Sequence, residues 1–189
     1  MQQALNLGAH PVPHLLPLNQ SWQPVGPLQI VTPRYGNLTG RVTSVAIDPS
    51  DASGNHVYIG TTGGGVWKST NAAASDPTTT TFTPLLDEPA AFSGVNLTSI
   101  SIGAVSVQPG GTGVVLAGTG DPNDALDSYY GAGILRSGDG GTTWTLIPQS
   151  SDAFYNNGPT NFSFTGEAFA GFAWSTTSPS LVVAAVTHS

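Results

Sequence analysis

The stretch Asp121-Pro122-Asn123-Asp124-Ala125-Leu126-Asp127 crowds four oxygen-bearing side chains together, and Tyr129-Tyr130 follow almost at once. Carboxylate and amide oxygens at this density are the hard donors that Ca²⁺ takes, about six to eight at a time. The spacing is not that of an EF-hand loop, and the same residues also make an ordinary solvated turn. The tyrosine pair offers flat faces on which a sugar ring can stack, or against which a neighbouring sheet can pack. The candidate binding residues are therefore Asp121, Asn123, Asp124, Asp127, Tyr129 and Tyr130.

Other chemistries lack their residues. Residues 60–65 are glycine-rich but hold no lysine, and no helical pattern follows, so they do not read as a phosphate cradle. His10, His14, His56 and His188 are scattered without ligand spacing, and the chain has no cysteine, so neither a metal site nor a disulfide is assigned. Glu167 is the only acid between Asp152 and the C-terminus, with no evident carboxylate partner for acid–base work. A net charge of −7 with only four Lys and Arg leaves no basic face, so nucleic acid is not an expected partner. No catalytic residue and no cofactor is assigned.

These residues need elements to hold them. The stretch Ser137-Gly138-Asp139-Gly140-Gly141-Thr142-Thr143-Trp144 joins two β-like runs, Gly133-Ile134-Leu135-Arg136 and Thr143-Trp144-Thr145-Leu146-Ile147. A Gly/Asp cluster between strands makes a tight hairpin, with glycine supplying positive φ. Asp139 is suited to accept backbone N–H bonds inside that turn, Ser137 offers a hydroxyl, and Trp144 can fold back over it.

The runs recur along the chain. Thr43-Ser44-Val45-Ala46-Ile47-Asp48-Pro49 aligns with Gly103-Ala104-Val105-Ser106-Val107-Gln108-Pro109, and Gly64-Gly65-Val66-Trp67-Lys68-Ser69 with Ala132-Gly133-Ile134-Leu135-Arg136-Ser137. Strands are expected near 42–48, 56–61, 65–69 and 82–86, then near 100–107, 114–118, 132–137 and 143–148. A third unit starts at Phe172-Ala173-Trp174-Ser175, with 181–186 as its second strand. No window carries helical periodicity, so the fold class is all-β. In the first unit Ser69, Asn71 and Phe82 stand where Ser137, Asp139 and Trp144 stand in the second. The inserted loop between them is expected to be too long to keep the tight geometry.

Ser137, Asp139, Gly141, Thr143 and Trp144 match Ser-x-Asp-x-Gly-x-Thr-Trp. This resembles the Asp-box, the hairpin signature of bacterial-neuraminidase-repeat (BNR) β-propellers. The resemblance implies structural roles for those five residues. Trp22 with Gly26-Pro27 is similar to the lead-in before the first blade of such proteins, and Thr39-Gly40-Arg41-Val42-Thr43 to the approach to its first strand. Gly118-Thr119-Gly120-Asp121 also resembles them, though they often carry Glu where Asp121 stands. The likeness covers 21–189 and implies four-stranded antiparallel blades near 38–88 and 97–150 and the start of another near 164–189, while residues 1–20, with Pro11, Pro13 and Pro17, read as an irregular leader. About two and a half blades make an incomplete or open propeller, since rings close with about four to eight. This reads as a fragment, expected to self-associate or to need its missing blades.

Relatives by this resemblance include sialidases, xyloglucanase-type hydrolases and sortilin-type receptor domains, so fold alone does not choose a function. Sialidases use three clustered arginines and a Tyr–Glu pair, whereas this chain has only Arg34, Arg41 and Arg136. In xyloglucanase-type enzymes a first-blade Arg-Thr-Asp-x-Gly-Gly-Ala-Tyr supplies a catalytic Asp. The matching Gly60-Thr61-Thr62-Gly63-Gly64-Gly65-Val66-Trp67 has Thr62 there, which cannot act as a carboxylate. The expectation is a non-catalytic binding or scaffold module for glycan or protein. The rival is the N-terminal part of a glycoside hydrolase whose catalytic blades lie elsewhere.

Charged residues make up only 8 %, against roughly 25 % in ordinary domains. With 24 Gly and 15 Pro this matches turn-rich β-structure of an exported kind, so an extracellular or periplasmic location is expected, although the N-terminus has no signal-peptide pattern. No stretch approaches the ~20 apolar residues of a membrane span.

Overall fold

The computed structural model describes residues 30–34, 36–38, 40–87, 99–123, 128–150 and 161–188. The 1–20 leader, the 21–27 lead-in, Asp124 and Asp127 lie outside the described residues. The architecture is all-β. Its one helical element among the described residues is a 3₁₀ turn, Pro77–Thr79, capped by Asp76.

A short hairpin of β1 (Ile30–Thr32) and β2 (Gly36–Leu38) comes first. A four-stranded antiparallel sheet follows: β3 (Val42–Ile47), β4 (Val57–Thr61), β5 (Gly65–Ser69) and β6 (Thr83–Pro84), paired in chain order. The second blade repeats it with β7 (Ile102–Val107), β8 (Val115–Thr119), β9 (Ile134–Ser137) and β10 (Thr145–Ile147). Then come β11 (Glu167–Trp174) and β12 (Val182–His188), paired antiparallel. The arrangement is open rather than closed. β11 starts five residues earlier than the Phe172 start read from the sequence, and β6 is shorter than its expected 82–86.

The three sheets after the β1–β2 hairpin each bulge at the equivalent point of their first strand. The register skips Thr43 between Val42 and Ser44, Gly103 between Ile102 and Ala104, and Ala170 between Phe169 and Gly171. A bulge bends its strand and re-aims the side chain before it. Ile102 and Phe169 are thereby turned onto the preceding sheet. A Cβ on Gly60 would lie 2.6 Å from Ile102 Cγ2, and one on Gly118 would lie 2.6 Å from Phe169 Cγ. Both glycines are bare because the next sheet's side chain fills the space. Across the first joint the Thr43 hydroxyl also donates to the Ile102 carbonyl.

The main core lies between the first two blades and contains Tyr58, Val66, Ile102, Val105, Val107, Val115, Leu135 and Trp144. A smaller cluster of Ala104, Phe164 and Phe169 joins the second blade to β11–β12.

The 137–144 turn is a closed hydrogen-bond circuit. The Ser137 hydroxyl donates to Asp139 Oδ1 (2.7 Å) and accepts from Gly141 N (2.8 Å). Asp139 accepts from Thr143 N (2.8 Å) and the Thr143 hydroxyl (2.7 Å), and Trp144 Nε1 donates to the Gly141 carbonyl (2.9 Å). From the first blade, Tyr58 Oη and Lys68 Nζ donate to the Gly140 carbonyl at 3.1 and 3.3 Å. The turn is thus also a joint between blades.

The Thr143 amide and hydroxyl, then the Ser137 hydroxyl, lower the Asp139 pKa to about 2. A depressed carboxylate contributes stability that is present above its unfolded pKa of roughly 3.9 and is lost as pH falls through the folded value. Acid titration of the melting temperature should therefore show a decline between about pH 4 and pH 2 that is reduced in Asp139→Asn. An unchanged acid profile in that variant would contradict this assignment.

The stretched hairpin of the first blade departs from expectation. Asn71 Oδ1 accepts from Thr81 N (3.0 Å) and from the Ser69 hydroxyl (3.0 Å), reproducing the Asp139–Thr143 and Asp139–Ser137 bonds. These bonds survive because the side-chain clamp spans the insertion, whose own backbone is organised by Asp76 and by Asn71 Nδ2 donating to the Thr79 carbonyl. The lid is looser, with Phe82 partly exposed where Trp144 is buried.

Candidate functional site

β4 and β8 end on equivalent threonines that hold the loop after them. Thr61 Oγ1 accepts from Gly64 N and donates to the Gly65 carbonyl, both at 3.0 Å, closing a short glycine turn. Thr119 Oγ1 accepts from Ala132 N (2.7 Å) and Gly133 N (2.9 Å) and donates to the Gly133 carbonyl (2.7 Å), across the longer second-blade loop. Asp121 N donates to the Tyr129 carbonyl (2.9 Å), so the backbone at the tyrosine pair is fixed although the side chains are not packed.

Between these loops lies a cleft of about 480 Å³ lined by Thr62, Gly63, Ser99, Ile100, Ser101, Tyr129 and Tyr130. Tyr129 and Tyr130 are 62 % and 66 % exposed, so they do not pack on a neighbouring blade. Ser101 Oγ is buried with no hydrogen-bond partner among the described residues. No carboxylate is among the described lining residues.

Asp121 is beside the cleft but fully committed. It is completely buried, its Oδ2 lies 2.6 Å from Arg41 Nη2, and its Oδ1 accepts from Asn123 N (3.1 Å) and Nδ2 (2.6 Å). Arg41 Nε donates to Thr62 Oγ1 at 2.8 Å. Arg41, Thr62, Asp121 and Asn123 therefore form one chain of contacts tying the mouth of the first blade to that of the second. Sequence reasoning missed this pair, since nothing in the two local patterns signals a partner 80 residues away.

Of the six candidate binding residues, Asp121, Asn123, Tyr129 and Tyr130 come together here, while Asp124 and Asp127 lie outside the described residues. Among the described residues no three His, Asp or Glu side chains gather as metal ligands. The arginines do not converge, because Arg41 is held at the cleft and Arg136 is exposed on β9, beside the 137–144 turn. Glu167 contributes its carbonyl to Gly131 N (3.0 Å) and is not among the described lining residues. The five turn residues Ser137, Asp139, Gly141, Thr143 and Trp144 sit at the opposite end of β9 from the tyrosines.

No protein-family model matches the chain, and no curated protein sequence matches it. Similar solved structures include an ancestral GH74 enzyme, a β-propeller glycoside hydrolase, at 23 % identity and a TM-score of 0.51. The match covers 85 % of this chain and 15 % of that one, so the chain corresponds to a small part of that enzyme's length. At this identity the likeness is one of fold.

Proposed function

We propose that the chain is a propeller segment of the Asp-box (BNR) type that binds glycan without turning it over, with the inter-blade cleft as its site and the cell exterior or periplasm as its location. The observation that carries this reading is the pair of exposed tyrosines beside a cleft lined with serine and threonine hydroxyls. Aromatic faces take the apolar face of a sugar ring, and a few convergent polar groups orient its hydroxyls. Hydrolysis needs two free carboxylates flanking the bond. Thr62 occupies one such position, and Asp121 is engaged with Arg41 and Asn123. The 137–144 circuit supports the Asp-box assignment, and the low charge content supports export.

Titration with β-glucan and sialylated oligosaccharides tests this. Tyr129→Ala and Tyr130→Ala should each weaken binding of the best oligosaccharide at least about tenfold, or ~1.4 kcal/mol, with the melting temperature unchanged. Binding unaffected by the double variant, or no binding across the panel, would refute the site. The likeness to a GH74 enzyme favours a second reading, that the chain supplies the first blades of a hydrolase. Turnover of β-glucan that disappears in Asp121→Asn, with folding retained, would establish it.

A further inference from the structure

Between successive sheets the same pair of positions meets twice: Ile102 against Gly60, and Phe169 against Gly118. By register the residue before the first-strand bulge is Val42 in the first sheet, equivalent to Ile102 and Phe169. The second-strand residue opposite Ser44, Ala104 and Gly171 is Gly60, Gly118 and Ala185. Among the described residues, Val42 and Ala185 are therefore the two unused halves of a third such joint. Their sizes correspond, since Val42 is one methylene smaller than Ile102 while Ala185 is one methyl larger than the glycines.

The surfaces around them agree. In the second blade Ile102, Val105 and Val107 are 0–8 % exposed, whereas Val42, Val45 and Ile47 are 49 %, 62 % and 61 % exposed. On the far side of β11–β12, Ala173 and Ala185 are exposed and Val183 is 66 % exposed. Neither set contains a charged side chain. Contiguous apolar faces of this kind on described strands call for a cover.

We infer that this chain associates head to tail with further copies of itself, the β3 face of one copy packing on the outer β11–β12 face of the next. The contact joins two different surfaces, so it is heterologous and builds either a ring or an open filament. It is independent of the glycan reading, because the cleft lies between the first two blades of a single copy. It carries the contact already present twice inside each copy on to the next copy.

Sedimentation velocity of the 1–189 chain over a micromolar to near-millimolar series tests it, with near-ultraviolet dichroism of the tryptophans reporting folding. The mass should rise with concentration to at least twice that of one chain. Val45→Lys and Val183→Lys, both at exposed positions, should each remain monomeric with an unchanged dichroism spectrum. Mixed one to one, they should form a dimer and nothing larger, because each retains the face the other has lost. A wild-type chain that is monomeric throughout would overturn the inference. So would association surviving Val183→Lys, which would instead indicate pairing of two β3 faces.

Discussion

Trp144→Ala is expected to lower unfolding free energy by about 3–5 kcal/mol, the range for deleting a buried large aromatic. Trp144 belongs to the core between the first two blades, and its indole N–H also satisfies the Gly141 carbonyl. The loss would be a large fraction of the ~5–15 kcal/mol that keeps an ordinary domain folded. Urea melts should therefore place the variant close to unfolding in water. Trp144→Phe retains much of the apolar area and loses the hydrogen bond, so it should cost less than the alanine. A loss below about 1 kcal/mol for the alanine variant would mean that the turn does not depend on its lid.

Phe169→Ala should cost a similar ~3–5 kcal/mol, at the other joint. Its ring meets Phe164 edge-on at 5.3 Å and stacks with Phe172 at 5.9 Å, and its base occupies the space left by Gly118. The reciprocal change Gly118→Ala should also destabilise, because the new methyl collides with Phe169. The two changes share one space, so the double variant should be less unstable than the sum of the singles. Strict additivity in a double-mutant cycle would exclude the glycine-for-aromatic exchange as the basis of the joint.

Local patterns made much of this fold legible. The β-like run 133–136 and the Gly/Asp cluster after it specify a hairpin without reference to the rest of the chain. The start of β11 was hidden because Ala168 and Phe169, on opposite faces of the strand, are both buried, and the bulge at Ala170 then shifts the pattern further. The Asn71–Thr81 clamp was hidden for a related reason, since its two ends are separated by more residues than a turn pattern spans. At the cleft, Tyr129 and Tyr130 were legible as candidates by type. Their exposure, and the commitment of Asp121 to Arg41, depend on how two blades meet, and no single-stretch pattern encodes that.

The clamp in the first blade also bears on how freely this chain can vary. The entropy cost of closing a loop grows only with the logarithm of its length, by about 0.6 kcal/mol per doubling. Once Ser69, Asn71 and Thr81 hold the two ends together, the residues between them carry little of the selective burden. Drift, lengthening or grafting of foreign peptide should concentrate there, while the same positions in the second blade have almost no slack to give.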